Sequence, residues 1–172
     1  GGRRCRAGRS DMIIRLISLL VGPIRGGLAI VTVITALFWG AVSGSGPATV
    51  AALGTILIPG MVEAGYDKGF AAALMSASSG LAIIIPPSIA FVVYGVITGA
   101  SIGQLFIAGI IPGILVGLFL IVVAFFISVA RGYGGDRFGK LAEVWQAFKE
   151  AFWGLIAPVI ILGGIYGGIF TP

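Results

Sequence analysis

Two short interruptions of apolar sequence hold the residues whose types could do chemistry. The first is Ser43-Gly44-Ser45-Gly46-Pro47, with Thr49 just beyond it; the second is Pro86-Pro87-Ser88, preceded by Ser76, Ser78, Ser79 and Gly80. The atoms they offer are neutral oxygens: hydroxyls, and the backbone carbonyls that lose partners where proline brings no N–H. A hard monovalent cation needs several such oxygens and neither nitrogen nor sulfur. Ser43 and Ser45 fall at the negative, C-terminal end of one half-helix. Pro47 opens the returning half-helix at a position that favours proline, and Thr49 lies in its first turn. The carbonyls around residues 82–87 form a second wall. Gly46, Pro47, Thr49 and Ser88 are the residues expected in the vicinity of a bound solute.

What the chain lacks narrows the chemistry further. It has no histidine, and no Asp, Glu, Lys or Arg lies within residues 26–62 or 69–130. Proton relays inside membranes run through carboxylates or histidine, so sodium is favoured over protons as a coupling ion. The glycines around Ser43 and Ser45 raise the alternative of an intramembrane serine protease. That chemistry needs a base to activate the serine, usually histidine, and no enzyme activity is expected. A purely structural membrane subunit, its glycines serving packing alone, is a third reading. Cys5 is the one cysteine, which leaves no disulfide framework and no cysteine-based metal site; it reads as an inert thiol.

The elements that must position these residues are set by where charge is missing. Of 172 residues, 58% are hydrophobic and 10% charged, against roughly 25% in soluble domains. Soluble globular, disordered and nucleic-acid-binding classes are excluded, and the net charge of +5 concerns orientation in a bilayer. The charges cluster at residues 3–25, 63–68, 131–140 and 143–150. Between them run continuous apolar stretches, so the chain reads as an all-α polytopic membrane protein and not a β-barrel. It neither opens with a signal peptide nor closes its last apolar run with a polar flank, and is expected to be an internal fragment of a larger carrier.

Residues 26–62 are too long for one span, and each flank of the Ser/Gly/Pro interruption has about 16 residues, or ~24 Å of helix. Both flanks fall short of a ~30 Å hydrocarbon core. This predicts a re-entrant hairpin with its tip at 43–47; two slightly short full spans joined by a tight turn are the alternative. Residues 69–98 form a transmembrane helix that must break at 86–87, since two prolines remove two donors and push Ile85 out of the helical region. Residues 104–130 make a further span, kinked by Pro112, whose Gly109, Gly113 and Gly117 line one face for close helix contact. Residues 1–25 form a basic cytoplasmic segment with an interfacial helix, 131–153 a cytoplasmic loop with an amphipathic helix, and 154–172 the start of a next span. Both basic ends are assigned to the cytoplasm and residues 98–104 to the outside; this parity suits a hairpin and four full spans equally. Glu63, Asp67 and Lys68 read as a solvated turn, Tyr66 and Tyr94 as packing or interfacial aromatics. Thr32 and Thr35 are expected to back-bond within their helix.

The blocks RGGLAIV, FWGAVSGSGPATVAALG, ILIPGMVEAGYDKGFAAAL and GLAIIIPPS, followed by VVYG, AGIIPGILVG and KEAFWGLIAPVIILGGIYGGIFTP, cover nearly the whole chain. Their content and order resemble the large membrane subunit of TRAP (tripartite ATP-independent periplasmic) transporters. The resemblance implies one half of an elevator-type carrier in the bacterial or archaeal inner membrane, driven by Na⁺. Its partners would be a small membrane subunit and a periplasmic substrate-binding protein, in a lipid bilayer and with no nucleic acid. Its cargo would be organic acids such as C4-dicarboxylates, sialic acid or keto acids, and it would use no cofactor besides the coupling ion. It further implies that Ser43 and Ser45 ligate Na⁺ together with the backbone oxygens of Ala82, Ile85 and Pro87, Ala82 standing where the family commonly has glycine. A binding-protein-independent dicarboxylate or anion carrier of the same hairpin architecture is the alternative.

Overall fold

Helix ends fall where the chain supplies turn residues. The computed structural model describes residues 26–133 and, in the last apolar run, residues 156, 160, 163–165 and 167. The expected basic segment with its interfacial helix (1–25), the amphipathic helix near 140–153 and most of the span begun at 154 lie outside the described residues. Between 26 and 133 the helices are α1 (Gly27–Ser43), α2 (Gly46–Glu63), α3 (Lys68–Ser79), α4 (Leu81–Ile84), α5 (Ile89–Thr98) and α6 (Ile102–Ala130). No strand occurs among the described residues.

Three stretches are long and apolar enough to cross a membrane by length and composition: α2, the run Lys68–Thr98 that contains α3 to α5, and α6. α1, at 17 residues, is shorter. The outward faces of α5 and α6 carry exposed Val96, Ile97, Ile111, Phe119 and Phe126. A continuous apolar surface of this kind is stable against lipid or protein and not against water. The chain is an all-α membrane protein.

α1 and α2 are joined by Gly44 and Ser45 alone and run antiparallel. At the far end Thr32 donates to the Met61 sulfur at 3.4 Å; at the near end Ser43 and Thr49 are hydrogen-bonded at 3.0 Å. Between these ends Ala36, Leu53 and Leu57 pack with Met75 of α3. Thr32 back-bonds to the Leu28 carbonyl as expected, at 3.0 Å. Thr35 departs from expectation: its buried hydroxyl reaches no acceptor among the described residues. A back-bond is one of two arrangements open to a helical threonine.

α6 lies antiparallel to α1 and to the broken helix, and its glycine face forms the seam. Gly109, Gly113 and Gly117 are buried. A Cβ at Gly113 would come within 2.6 Å of Ile85, one at Gly109 within 2.6 Å of the Ile84 carbonyl, and one at Gly117 within 3.1 Å of Leu37. Backbone therefore packs directly on neighbouring helices, as small-residue stripes allow where no hydrophobic force draws helices together. Pro112 sits inside α6 without ending it.

A polar cluster closes one end of the bundle. Asp67 caps α3 by accepting from the Phe70 N–H at 2.9 Å, while its own N–H donates to the Tyr133 hydroxyl at 3.1 Å. Tyr66 is buried against Tyr133, ring centres 4.3 Å apart. Arg131 donates to the Tyr133 hydroxyl at 3.5 Å, lies 3.8 Å from the Asp67 carboxylate and sits over the Phe70 ring. The guanidinium contact holds the Tyr133 phenol below its ordinary value, and the same contact raises Arg131. Glu63, Asp67 and Lys68 are exposed, in keeping with a solvated turn.

Candidate functional site

The hairpin tip and the proline break touch through backbone. Gly44 ends α1 with φ 61, and its N–H donates to the Gly40 carbonyl at 2.8 Å. This left-handed conformation costs other residues about 1–2 kcal/mol, which explains glycine here. The Gly44 carbonyl accepts from the Ile89 N–H, the first residue of α5, at 3.3 Å. A Cβ on Gly44 would lie 2.7 Å from the Pro87 carbonyl oxygen. One turn back, a Cβ on Gly40 would lie 2.7 Å from the Ala82 Cα; two residues on, a Cβ on Gly46 would lie 3.2 Å from the Ser79 carbonyl. The hairpin is thus seated along the whole length of the break.

Within the tip, hydroxyls hold the turn. The Ser45 carbonyl accepts from the Thr49 N–H at 3.0 Å and from the Thr49 hydroxyl at 2.8 Å. Ser43 Oγ lies 3.4 Å from both the Ser45 N–H and the Ser45 carbonyl. Thr49, fully buried, is a strut under the turn. The Ser45 hydroxyl makes no hydrogen bond among the described residues.

At the break, the prolines decide which carbonyls are free. In a continuous helix residues 86 and 87 would donate to the carbonyls of Ala82 and Ile83; as prolines they cannot. The Ile85 N–H is already given to Leu81 at 2.8 Å. Ile83 is served by the buried Ser88, whose hydroxyl donates to its carbonyl. Ala82 has no amide four residues on. Among the described residues no backbone N–H reaches the carbonyls of Ile85 or Pro87 either.

A cavity of about 270 Å³ opens where these parts meet, lined by Val42, Ser43, Gly44, Pro87, Ser88, Ile89 and Val92. The C-terminal end of α1 and the N-terminal end of α5 border it. Partial negative charge from carbonyls and partial positive charge from free N–H groups therefore lie side by side, with no ionised side chain nearby. Such an arrangement can hold a small cation and an anionic group next to each other.

Of the five residues expected to ligate a cation, Ser43 and Pro87 border the cavity. Ser45 is half-buried in the turn, Ala82 lies under Gly40, and the Ile85 side chain packs on α6. Of the residues expected near a solute, Ser88 borders the cavity, Gly46 packs on the Ser79 carbonyl, Thr49 braces the tip and Pro47 faces outward. Sequence reasoning missed Gly40 and the Ile89 N–H. The four-residue spacing of Gly40 and Gly44, the same as on α6, was a usable signal for the first. The second is a long-range backbone contact that carries no residue signature.

Irregular backbone buried among apolar helices defines a polytopic membrane protein in which the chain is broken only where protein can surround it. The chain belongs to the family described as the tripartite ATP-independent periplasmic transporter, DctM component, which it matches over residues 5–172. The isethionate TRAP transporter permease protein DctMQ of Oleidesulfovibrio alaskensis is 49% identical over 166 residues, covering 96% of this chain and 26% of the relative. The C4-dicarboxylate TRAP transporter large permease protein DctM of Vibrio cholerae is 48% identical over 165 residues, 96% of this chain and 36% of the relative. The ectoine TRAP transporter large permease protein TeaC of Halomonas elongata is 43% identical over 167 residues, 97% of this chain and 39% of the relative. The chain thus spans about a quarter to two fifths of the length of these relatives. All three are named as permeases, a transport role and not an enzymatic one.

Proposed function

We propose that this chain forms the part bearing the first hairpin of the large membrane subunit of a Na⁺-coupled, binding-protein-dependent secondary transporter in the inner membrane. The observation that carries the reading is the contact of the tip with the break, through the Ile89 N–H and the Gly44 carbonyl. It supports a re-entrant hairpin over a pair of full spans. The tip sits where α5 begins, and α5 continues ten residues, about 15 Å of helix, beyond it. α2 at 18 residues could span by length alone, so depth and not length argues for re-entry.

Na⁺ would be held between the Ser43 and Ser45 hydroxyls and the carbonyls of Ala82, Ile85 and Pro87, at the carbonyl-rich ends of α1 and α4. Binding there draws tip and break together, and the cavity beside them is completed when the ion is present. An organic anion would lie toward the N-terminal ends of α2 and α5, near Ser88, where free N–H groups favour negative charge. Isethionate, C4-dicarboxylates and ectoine, named for the relatives, each carry a sulfonate or carboxylate. Hairpin and broken helix would move together across the membrane as an elevator. The small membrane subunit anchors the assembly and the periplasmic binding protein delivers solute.

The test is uptake by the full-length protein, reconstituted with its small subunit and binding protein. Labelled C4-dicarboxylate, sialic acid and isethionate are offered under an inward Na⁺ gradient or a pH gradient alone. Uptake is expected only with Na⁺ and binding protein. Uptake driven by the pH gradient alone would sink sodium coupling, and uptake without binding protein would move the assignment to an independent anion carrier.

A further inference from the structure

The proline pair leaves two adjacent carbonyls, of Ala82 and Ile83, without amide donors, and successive residues are placed about 100° apart around a helix axis, so the two lie on different sides of it. Ser88 takes up one of them. Ser88 is 1% exposed, and its hydroxyl donates to the Ile83 carbonyl five residues back. This bond spans both prolines and replaces the amide that Pro87 lacks. The next residue, Ile89, gives its N–H to the Gly44 carbonyl of the hairpin. Consecutive residues thus fasten the start of α5 to α4 on one side and to the tip of α1 on the other.

We propose that Ser88 is a positioning residue for the cation site. Its hydroxyl stands in for the missing amide, satisfies Ile83, and holds the turn that carries the Ala82, Ile85 and Pro87 oxygens. It is not itself a ligand. This rests on the Na⁺ reading above and adds to it the residue that sets the geometry of the break.

The experiment compares parent, Ser88→Ala, Ser88→Thr and Ser88→Cys in the full-length protein, reconstituted with both partners. Initial uptake is measured against Na⁺ at saturating solute. Loss of one buried hydrogen bond should raise the Na⁺ half-saturation of Ser88→Ala by about five-fold or more. Ser88→Thr, which keeps the hydroxyl, should return the Na⁺ curve toward the parent. Ser88→Cys, similar in size and a weaker donor, should shift like alanine, and it decides the matter if the alanine variant does not assemble. An unmoved Na⁺ half-saturation in Ser88→Ala or Ser88→Cys, or an equal rise in Ser88→Thr, overturns the proposal while sodium coupling stands. A parent protein indifferent to Na⁺ overturns both.

Discussion

Gly44 carries three demands: a left-handed turn, a carbonyl that accepts from α5's first amide, and no room for a Cβ beside the Pro87 carbonyl. Gly44→Ala should therefore destabilise the full-length protein by at least about 1–2 kcal/mol from backbone strain alone. Collision with the break adds to that, and the outcome is read as a lower melting temperature in detergent together with lost uptake. Thr49→Val keeps the shape of the strut and removes its hydroxyl. The Ser45 carbonyl retains the Thr49 amide, so the expected loss is about 1 kcal/mol, with the tip loosened and not unfolded. A variant as stable as the parent would show that the hydroxyl does not brace the turn.

At the scale of elements, the glycine seam of α6 and the polar cluster beyond it hold different ends of the bundle. Gly113→Val should cost about 1–3 kcal/mol through overpacking against Ile85. Ile111→Val on the outward face should fall within about 0.5 kcal/mol of the parent. Equal effects of the two would remove the seam as a packing surface. In the polar cluster, Arg131→Gln removes the cation that lowers the Tyr133 phenol, so alkaline titration by phenolate absorbance should find one tyrosine ionising at higher pH than before. Because the folded value lies below the ordinary one of 10.0, this contact adds stability above the ordinary value and loses it as pH falls through the folded value.

How far these elements were legible follows from their range in sequence. The seam was readable because Gly109, Gly113 and Gly117 repeat at helical spacing, and the break because Pro86-Pro87 excludes helix whatever surrounds it. Tip contents were readable from Ser43 to Pro47, whose residue types name a turn. The Gly40–Gly44 spacing marked a close approach but not its partner Ala82, and the Ser88 hydroxyl on Ile83 and the Tyr133 cluster were not readable, since each depends on how segments meet.

For the whole molecule, charge distribution and length have separate consequences. Residues 26–62 and 69–130 hold no Asp, Glu, His, Lys or Arg, so protonation of these segments cannot gate the site between mild acid and neutral pH. Na⁺-dependent uptake should keep the same Na⁺ half-saturation across that range wherever these residues alone set it; a strong pH shift would place an ionisable group from another part of the assembly at the site. The chain spans about a quarter to two fifths of its relatives' length, and the polypeptide of 172 residues reconstituted by itself is expected to show no uptake above protein-free vesicles.

The hydrogen bond from Ile89 to Gly44 gives the protein a built-in reporter. Val92, one turn on, donates within its own segment to the Ser88 carbonyl, whereas the Ile89 amide is protected only while the hairpin tip stays in place. Deuterium exchange at that single amide should therefore measure how often the tip lifts away, slowing as Na⁺ is added while exchange further along α5 is unchanged. A backbone contact formed by two residues without reactive side chains would thus make the opening of the site observable one molecule-wide event at a time, by mass.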